Sequence, residues 1–87
     1  MEIEISPHAE EQIRFRKLSH DLVVQVATSP EQILPTVGER YFAQSRFQER
    51  GKEYLLRVLV EKVGDTRLIV TVYPTSKVRK YWRGGLK

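Results

Sequence analysis

The chain contains no cysteine, which excludes disulfides, thiolate metal sites and a cysteine nucleophile together. Its 87 residues must therefore hold a fold without covalent staples. A domain of this size buries only roughly 60–65% of its unfolded surface, so its thin core has to pack well or be completed by a partner. No apolar run approaches the ~20 residues that cross a bilayer. The opening Met1-Glu2-Ile3-Glu4-Ile5 is acidic and too short in apolar content for a signal peptide. The expectation is a single cytoplasmic domain over 1–87 with no membrane partner. His8 and His20 fall in different predicted helices and no carboxylate cluster has ligand spacing, so no metal site is expected. A Gly-rich phosphate loop and a nucleophile elbow are also missing, which leaves nucleotide hydrolysis and serine hydrolase chemistry without support; no cofactor is expected.

Acidic residues are missing from one whole end. Thr66 to Lys87 carries six bases (Arg67, Lys77, Arg79, Lys80, Arg83, Lys87) and no acid, a local charge of +6 within a chain of net +4. Met1 to Glu31 has six acids (Glu2, Glu4, Glu10, Glu11, Asp21, Glu31) against three bases (Arg14, Arg16, Lys17), a local charge of −3. Such asymmetry creates a directed field that draws polyanions to one end. Two readings of that end stay open, a binding surface and a solvated basic tail.

The periodicity divides the chain in two. Glu2–Ile5 alternates as a short edge strand does. Ser6-Pro7 reads as an N-cap and first helical position, with Glu10 and Glu11 suited to the helix dipole and Ala9 and Ile13 facing the core as far as about Arg16. Ser19 opens a second helix with Leu22, Val23 and Val26 inward, and Thr28-Ser29-Pro30 stops it. After Pro35 the pattern is strand-like: Arg40–Gln48, a turn at Arg50-Gly51-Lys52, Glu53–Val63, a turn at Gly64-Asp65, then Arg67–Tyr73. The fold class is α+β, two N-terminal helices packed on an antiparallel sheet of three to four strands, with a basic tail at about 76–87. Period two places Leu56, Val58 and Val60, with Leu68, Val70 and Val72, on the core side. It places Leu55, Arg57, Leu59 and Glu61, with Arg67, Ile69, Thr71 and Tyr73, on the other. That second face is half apolar, fit for a ligand; Leu55, Leu59 and Ile69 on it are open to three readings, a dimer seam, an antitoxin groove or the underside of another segment.

Three sets of residues could carry chemistry. On the first helix His8, Gln12 and Arg16 form one stripe, with Glu11 beside them. A histidine and a carboxylate within one turn could share protons, and the arginine could hold a phosphate, as general acid–base cleavage of RNA requires; an ordinary surface histidine is the alternative. On the last strand Arg67, Thr71 and Tyr73 form a polar set. In the tail, Lys77, Arg79, Lys80 and Arg83 suit phosphates while Tyr81 and Trp82 offer faces to unpaired bases, each stack worth ~1–3 kcal/mol. Folding back over the core is the other use open to these two aromatics.

His8-Ala9 opening a helix, Arg16 eight positions after the histidine, Leu18-Ser19 beginning a second helix, and the strand Arg67-Leu68-Ile69-Val70-Thr71-Val72-Tyr73 together resemble a small bacterial domain-of-unknown-function family. That family is similar to the RelE and BrnT toxins, which share a fold with barnase-type and colicin-type ribonucleases. Gln12 stands where the family pattern has arginine, and Lys17 where it has a turn glycine. The resemblance implies a RelE/BrnT-like, metal-independent endoribonuclease acting on single-stranded RNA through the RNA's own 2′-hydroxyl, paired with an acidic antitoxin protein. Carried onto this sequence, its matching positions are His8, Arg16, Thr71 and Tyr73, and then Lys77 and Lys80. Together with the charge and strand-face reading above, the expected catalytic set is His8, Arg16, Arg67, Thr71 and Tyr73, and the expected RNA contacts are Arg57, Lys77, Arg79, Lys80, Tyr81, Trp82 and Arg83. A non-catalytic RNA- or protein-binding module on the same fold is the alternative.

Overall fold

A computed structural model describes residues 2–84. Met1 and residues 85–87, the last part of the basic tail including Lys87, lie outside the described residues. The order is β1 (Glu2–Ile5), α1 (Pro7–Phe15), α2 (His20–Thr28), β2 (Gln32–Pro35), β3 (Arg40–Glu49), β4 (Lys52–Val63), β5 (Thr66–Thr75) and α3 (Val78–Tyr81). The α+β class holds, but the sheet has five strands in the order β1-β5-β4-β3-β2 and is mixed. β1 lies parallel to β5, because the chain crosses over through α1 and α2 before the meander begins. β2, which the strand pattern did not mark, takes the sheet beyond the three to four strands expected, and α3 is a third, four-residue helix inside the basic tail. No helix among the described residues is long and apolar enough to cross a membrane.

Local chemistry explains the boundaries. Ser6 Oγ accepts from the Ala9 N–H at 3.0 Å, Pro7 occupies the first turn, and Ser19 caps α2 by accepting from Leu22 N–H at 3.2 Å. Helix α1 ends in a Schellman motif: Leu18 N–H donates to Ile13 C=O and Lys17 N–H to Arg14 C=O, with Lys17 left-handed at φ 55°. Strands β3 and β4 are joined by the two-residue turn Arg50-Gly51, both left-handed, at φ 53° and 75°. Ala9, Ile13, Val23 and Val26 pack with Ala43, Leu56, Val58, Val60, Ile69 and Val72 in a core between the helices and one sheet face. Full burial of a side chain such as Ile13 contributes roughly 1.5–3 kcal/mol.

A β-bulge overturns part of the face assignment. Leu59 pairs with Thr71 but Val60 pairs with Ile69, so Val70 is an extra residue and the alternation of β5 changes phase there. Ile69 is consequently fully buried in the helix-side core, and Arg67, paired with Lys62, faces that side as well. Thr71 and Tyr73, beyond the bulge, keep the opposite face. Past the end of β1 the edge of β5 is tied to α1: Ser6 Oγ donates to Val70 C=O at 3.1 Å, and Gln12 Oε1 accepts from Val72 N–H at 2.8 Å. Leu55 is also fully buried, outside the main cluster, on the face that α3 and its buried Val78 cover. Leu55 and Ile69 therefore offer no exposed dimer seam.

Candidate nucleic-acid interface

The face opposite the two long helices carries a row of polar side chains in strict cross-strand register. Gln32 on β2 pairs with Gln44 on β3, Gln44 with Arg57 on β4, and Arg57 with Tyr73 on β5. Directly opposed residues bring their Cβ atoms within about 5 Å, so their side chains meet. Gln44 Nε2 donates to Gln32 Oε1 at 2.8 Å, Arg57 Nε donates to Gln44 Oε1 at 3.0 Å, and Arg57 Nη1 donates to the Tyr73 hydroxyl. Four strands are thus crossed by one continuous hydrogen-bonded network.

Arg57 is the centre of that row, on the central strand. It is only 7% exposed, and no carboxylate among the described residues pairs with it. Its guanidinium carbon lies 4.0 Å from the ring centroid of Phe42, 4.3 Å from that of Tyr81 and 5.7 Å from that of Tyr73. A desolvated cation gains about 2 kcal/mol from one aromatic face, and here three rings share the work. Nη2 makes no hydrogen bond within the described residues. No side-chain nitrogen or oxygen there is both buried and unpaired, so Nη2 meets solvent at the remaining opening. The Tyr73 hydroxyl accepts from Arg57, and its own proton has no acceptor among the described residues.

The C-terminal segment straps the β2–β4 side of this face. Gln44 Nε2 donates to Tyr81 C=O at 3.0 Å, Gln32 Nε2 donates to Arg83 C=O at 2.6 Å, and Arg83 N–H returns a bond to Gln32 Oε1 at 3.1 Å. The Arg46 guanidinium stacks on Trp82, 4.4 Å from its centroid, and is fixed from behind by Glu31. Hydrogen bonds from the Arg46 side chain and then from its backbone N–H hold the Glu31 carboxyl below the usual carboxylate range, and the Arg46 guanidinium is raised in turn. Of the two uses open to Tyr81 and Trp82, folding back is the one adopted: each ring already carries an arginine.

The remaining sequence candidates separate into groups. Thr71 shares the face of Tyr73 and Arg57. Lys77, Arg79 and Lys80 line a shallow depression at α3 together with Glu53, but neither they nor the exposed Arg83 form an ion pair among the described residues. His8 and Arg16 lie on α1, on the other side of the sheet, around a surface hollow shared with Glu11, Gln12 and Phe15. Arg67 borders a different groove, between α2 and the loop joining β2 to β3. His8, Arg16 and Arg67 thus do not meet Thr71 and Tyr73. His20, exposed, is bonded to Glu10 at 2.6 Å and only clasps α1 to α2. Sequence reasoning passed over Gln32, Gln44 and Phe42. Their signal was the alternation Arg40, Phe42, Gln44, Arg46 along β3, which places a glutamine opposite Arg57. Comparison with protein-family models, curated proteins and solved structures returns no match, so the function is argued from this geometry.

Proposed function

We propose that this chain is a single-stranded-RNA-binding domain of the toxin type, with Arg57 as its central phosphate anchor. The observation that carries the reading is a buried guanidinium held only by neutral groups, Gln44 and Tyr73, and by aromatic rings. Burying a charge without a counter-charge is costly, and an incoming anion is the group that offsets the cost. Arginine presents a fork that fits phosphate oxygens, and Nη2 is the free prong. Thr71 beside it supplies a hydroxyl to a phosphate oxygen, and Lys77, Arg79, Lys80 and Arg83 continue the cationic track. Leu59, half-buried on the same face, offers apolar ground for a base. An acidic antitoxin segment would compete for these same cations.

Metal-independent cleavage is the second reading, favoured by one detail. Because the Tyr73 oxygen is engaged as acceptor, its proton is free for a 5′-oxygen leaving as an adjacent 2′-hydroxyl attacks phosphorus; the 2′-hydroxyl proton passes to solvent water, water then returns a proton to the Tyr73 oxygen, and Arg57 neutralises the charge that builds on the phosphoryl oxygens. His8, expected to share in proton transfer, is on the opposite face, and no base stands in the row. Binding therefore ranks first.

The test is fluorescence anisotropy with a labelled oligouridylate of about twelve nucleotides, within the range such surfaces cover. Arg57→Met should weaken binding at least roughly tenfold, or about 1.4 kcal/mol. Saturable binding of equal strength in both proteins would remove Arg57 from the reading. The same mixtures run on a gel, with EDTA and with magnesium, decide whether the RNA is also cut.

A further inference from the structure

Two tight turns break their own local preferences at cationic residues, and both open onto one cleft. Lys17 occupies the C′ position of the Schellman motif that ends α1, at φ 55°. Glycine is the usual residue there, because a Cβ in the left-handed region is disfavoured by roughly 1 kcal/mol. Arg50 occupies the first position of the β3–β4 turn at φ 53°, where asparagine, aspartate or glycine is preferred. A chain that gives up local stability at two separate turns tends to do so where function needs the side chain.

The cleft between these turns has a volume of ≈ 630 Å³. Arg16, Lys17 and Arg50 line it, against a single acid on its walls, Glu49. None of the three cations has a carboxylate partner among the described residues. The aromatic part of the wall is Phe47 and Tyr54, stacked with centroids 5.5 Å apart and planes at 24°. Tyr54 is only half-buried, and the Lys52 ammonium lies 5.7 Å from its centroid. Converging cations beside an aromatic ring are what a nucleotide requires, the phosphate meeting the cations and the base the π-face. Pro74 also borders the cleft, and its chain neighbour Tyr73 belongs to the polar row on the other sheet face. The two places therefore lie on opposite faces of the sheet at the same end of β5.

We propose that this cleft is a nucleotide subsite, taking one nucleoside monophosphate unit with its phosphate on Arg16, Lys17 and Arg50 and its base against Tyr54. As a second station for a strand anchored at Arg57 it rests on the RNA-binding reading; as a nucleotide site it stands by itself.

The test is titration of the ¹⁵N-labelled full chain with uridine 5′-monophosphate, following backbone amides. Saturable shifts are expected at Lys17 to Ser19 and at Gln48 to Gly51. The double variant Lys17→Gly, Arg50→Asn restores the residues each turn prefers, so it should be at least as stable to urea as the parent while binding roughly tenfold more weakly, from the loss of two charged contacts. Unmoved amides at both turns, or unchanged affinity in the double variant, overturn the proposal. Inorganic phosphate at matched ionic strength should bind more weakly; equal affinity would overturn the base-stacking half. Shifts confined to Gln44, Arg57 and Tyr73 would refute the cleft and leave the Arg57 site standing, whereas shifts at the turns alone would do the reverse.

Discussion

Tyr73 carries two separable functions in one side chain. Its ring meets Phe42 edge-on, with centroids 6.5 Å apart and planes at 85°, a geometry that phenylalanine would keep. Its hydroxyl receives the Arg57 hydrogen bond and keeps a free proton. Tyr73→Phe therefore removes the polar function without emptying the packing. Because the site is only half-buried, water can replace the lost acceptor, so urea unfolding should show a loss of about 1 kcal/mol. RNA affinity should fall only a few-fold, since Arg57 still meets the phosphate. Any cleavage should vanish, because the proton donor is gone. A Tyr73→Phe protein that cuts RNA at the parent rate removes Tyr73 from the chemistry, and one that loses all affinity makes the hydroxyl itself the anchor.

At the scale of elements, what could be foreseen was what depends on neighbours in sequence. Ser6 and Ser19 mark helix starts because a cap bond spans three residues, and Gly51 and Gly64 mark hairpins because each turn is two residues long. Alternation marks Arg67 to Tyr73 as a strand, yet period two puts Arg67, Leu68 and Ile69 on the wrong faces. The reason is the one-residue bulge at Val70, which obeys no local periodicity: it arises where Gln12 and Ser6 of another element bind the edge of β5. The parallel pairing of β1 with β5 is likewise a long-range event. The same limit hid the strap, since nothing near Tyr81 says that two glutamines about forty or fifty positions away hold its segment down. Trp82, the only tryptophan, reports on that strap through Arg46 and Glu31. The Glu31 carboxyl titrates below its ordinary value of about 4.3, so its hold is complete above that pH and is lost as pH falls through the lowered value. Trp82 emission should stay level from neutrality to about pH 4.3 and change only below it. Glu31→Gln should give the acid-form emission already at neutral pH. Emission that does not change at any acid pH where the fold persists, or a Glu31→Gln spectrum identical to the parent, would detach the strap from this ion pair.

For the whole molecule the question is whether its acidic half weakens the attraction of its basic end for RNA. The described chain measures 37 × 28 × 18 Å, while charges at physiological ionic strength are screened beyond about 8 Å. Glu2 and Glu4 lie in β1, at the far edge of the sheet from β2, whereas Arg83 is bonded back to Gln32 on β2. Strand spacing is about 4.8 Å, so four steps separate the two edges by roughly 19 Å, more than two screening lengths. The acidic edge should therefore be invisible to RNA on the basic side except at low salt. If Arg57 and three tail cations each neutralise one phosphate, log affinity for oligouridylate should fall with log salt at a slope near about −3, from ~0.7 per contact on single strands. Replacing Lys77, Arg79 and Lys80 with glutamine should bring the slope to roughly −1 with unchanged urea stability, because all three are exposed and carry no carboxylate partner. Replacing Glu2 and Glu4 with glutamine should leave both slope and affinity as they were near 0.15 M salt and raise affinity only at about 0.01 M, where the screening length reaches 30 Å. A slope that changes with the acids but not with the tail would place the bound strand on the helix side of the sheet, away from Arg57.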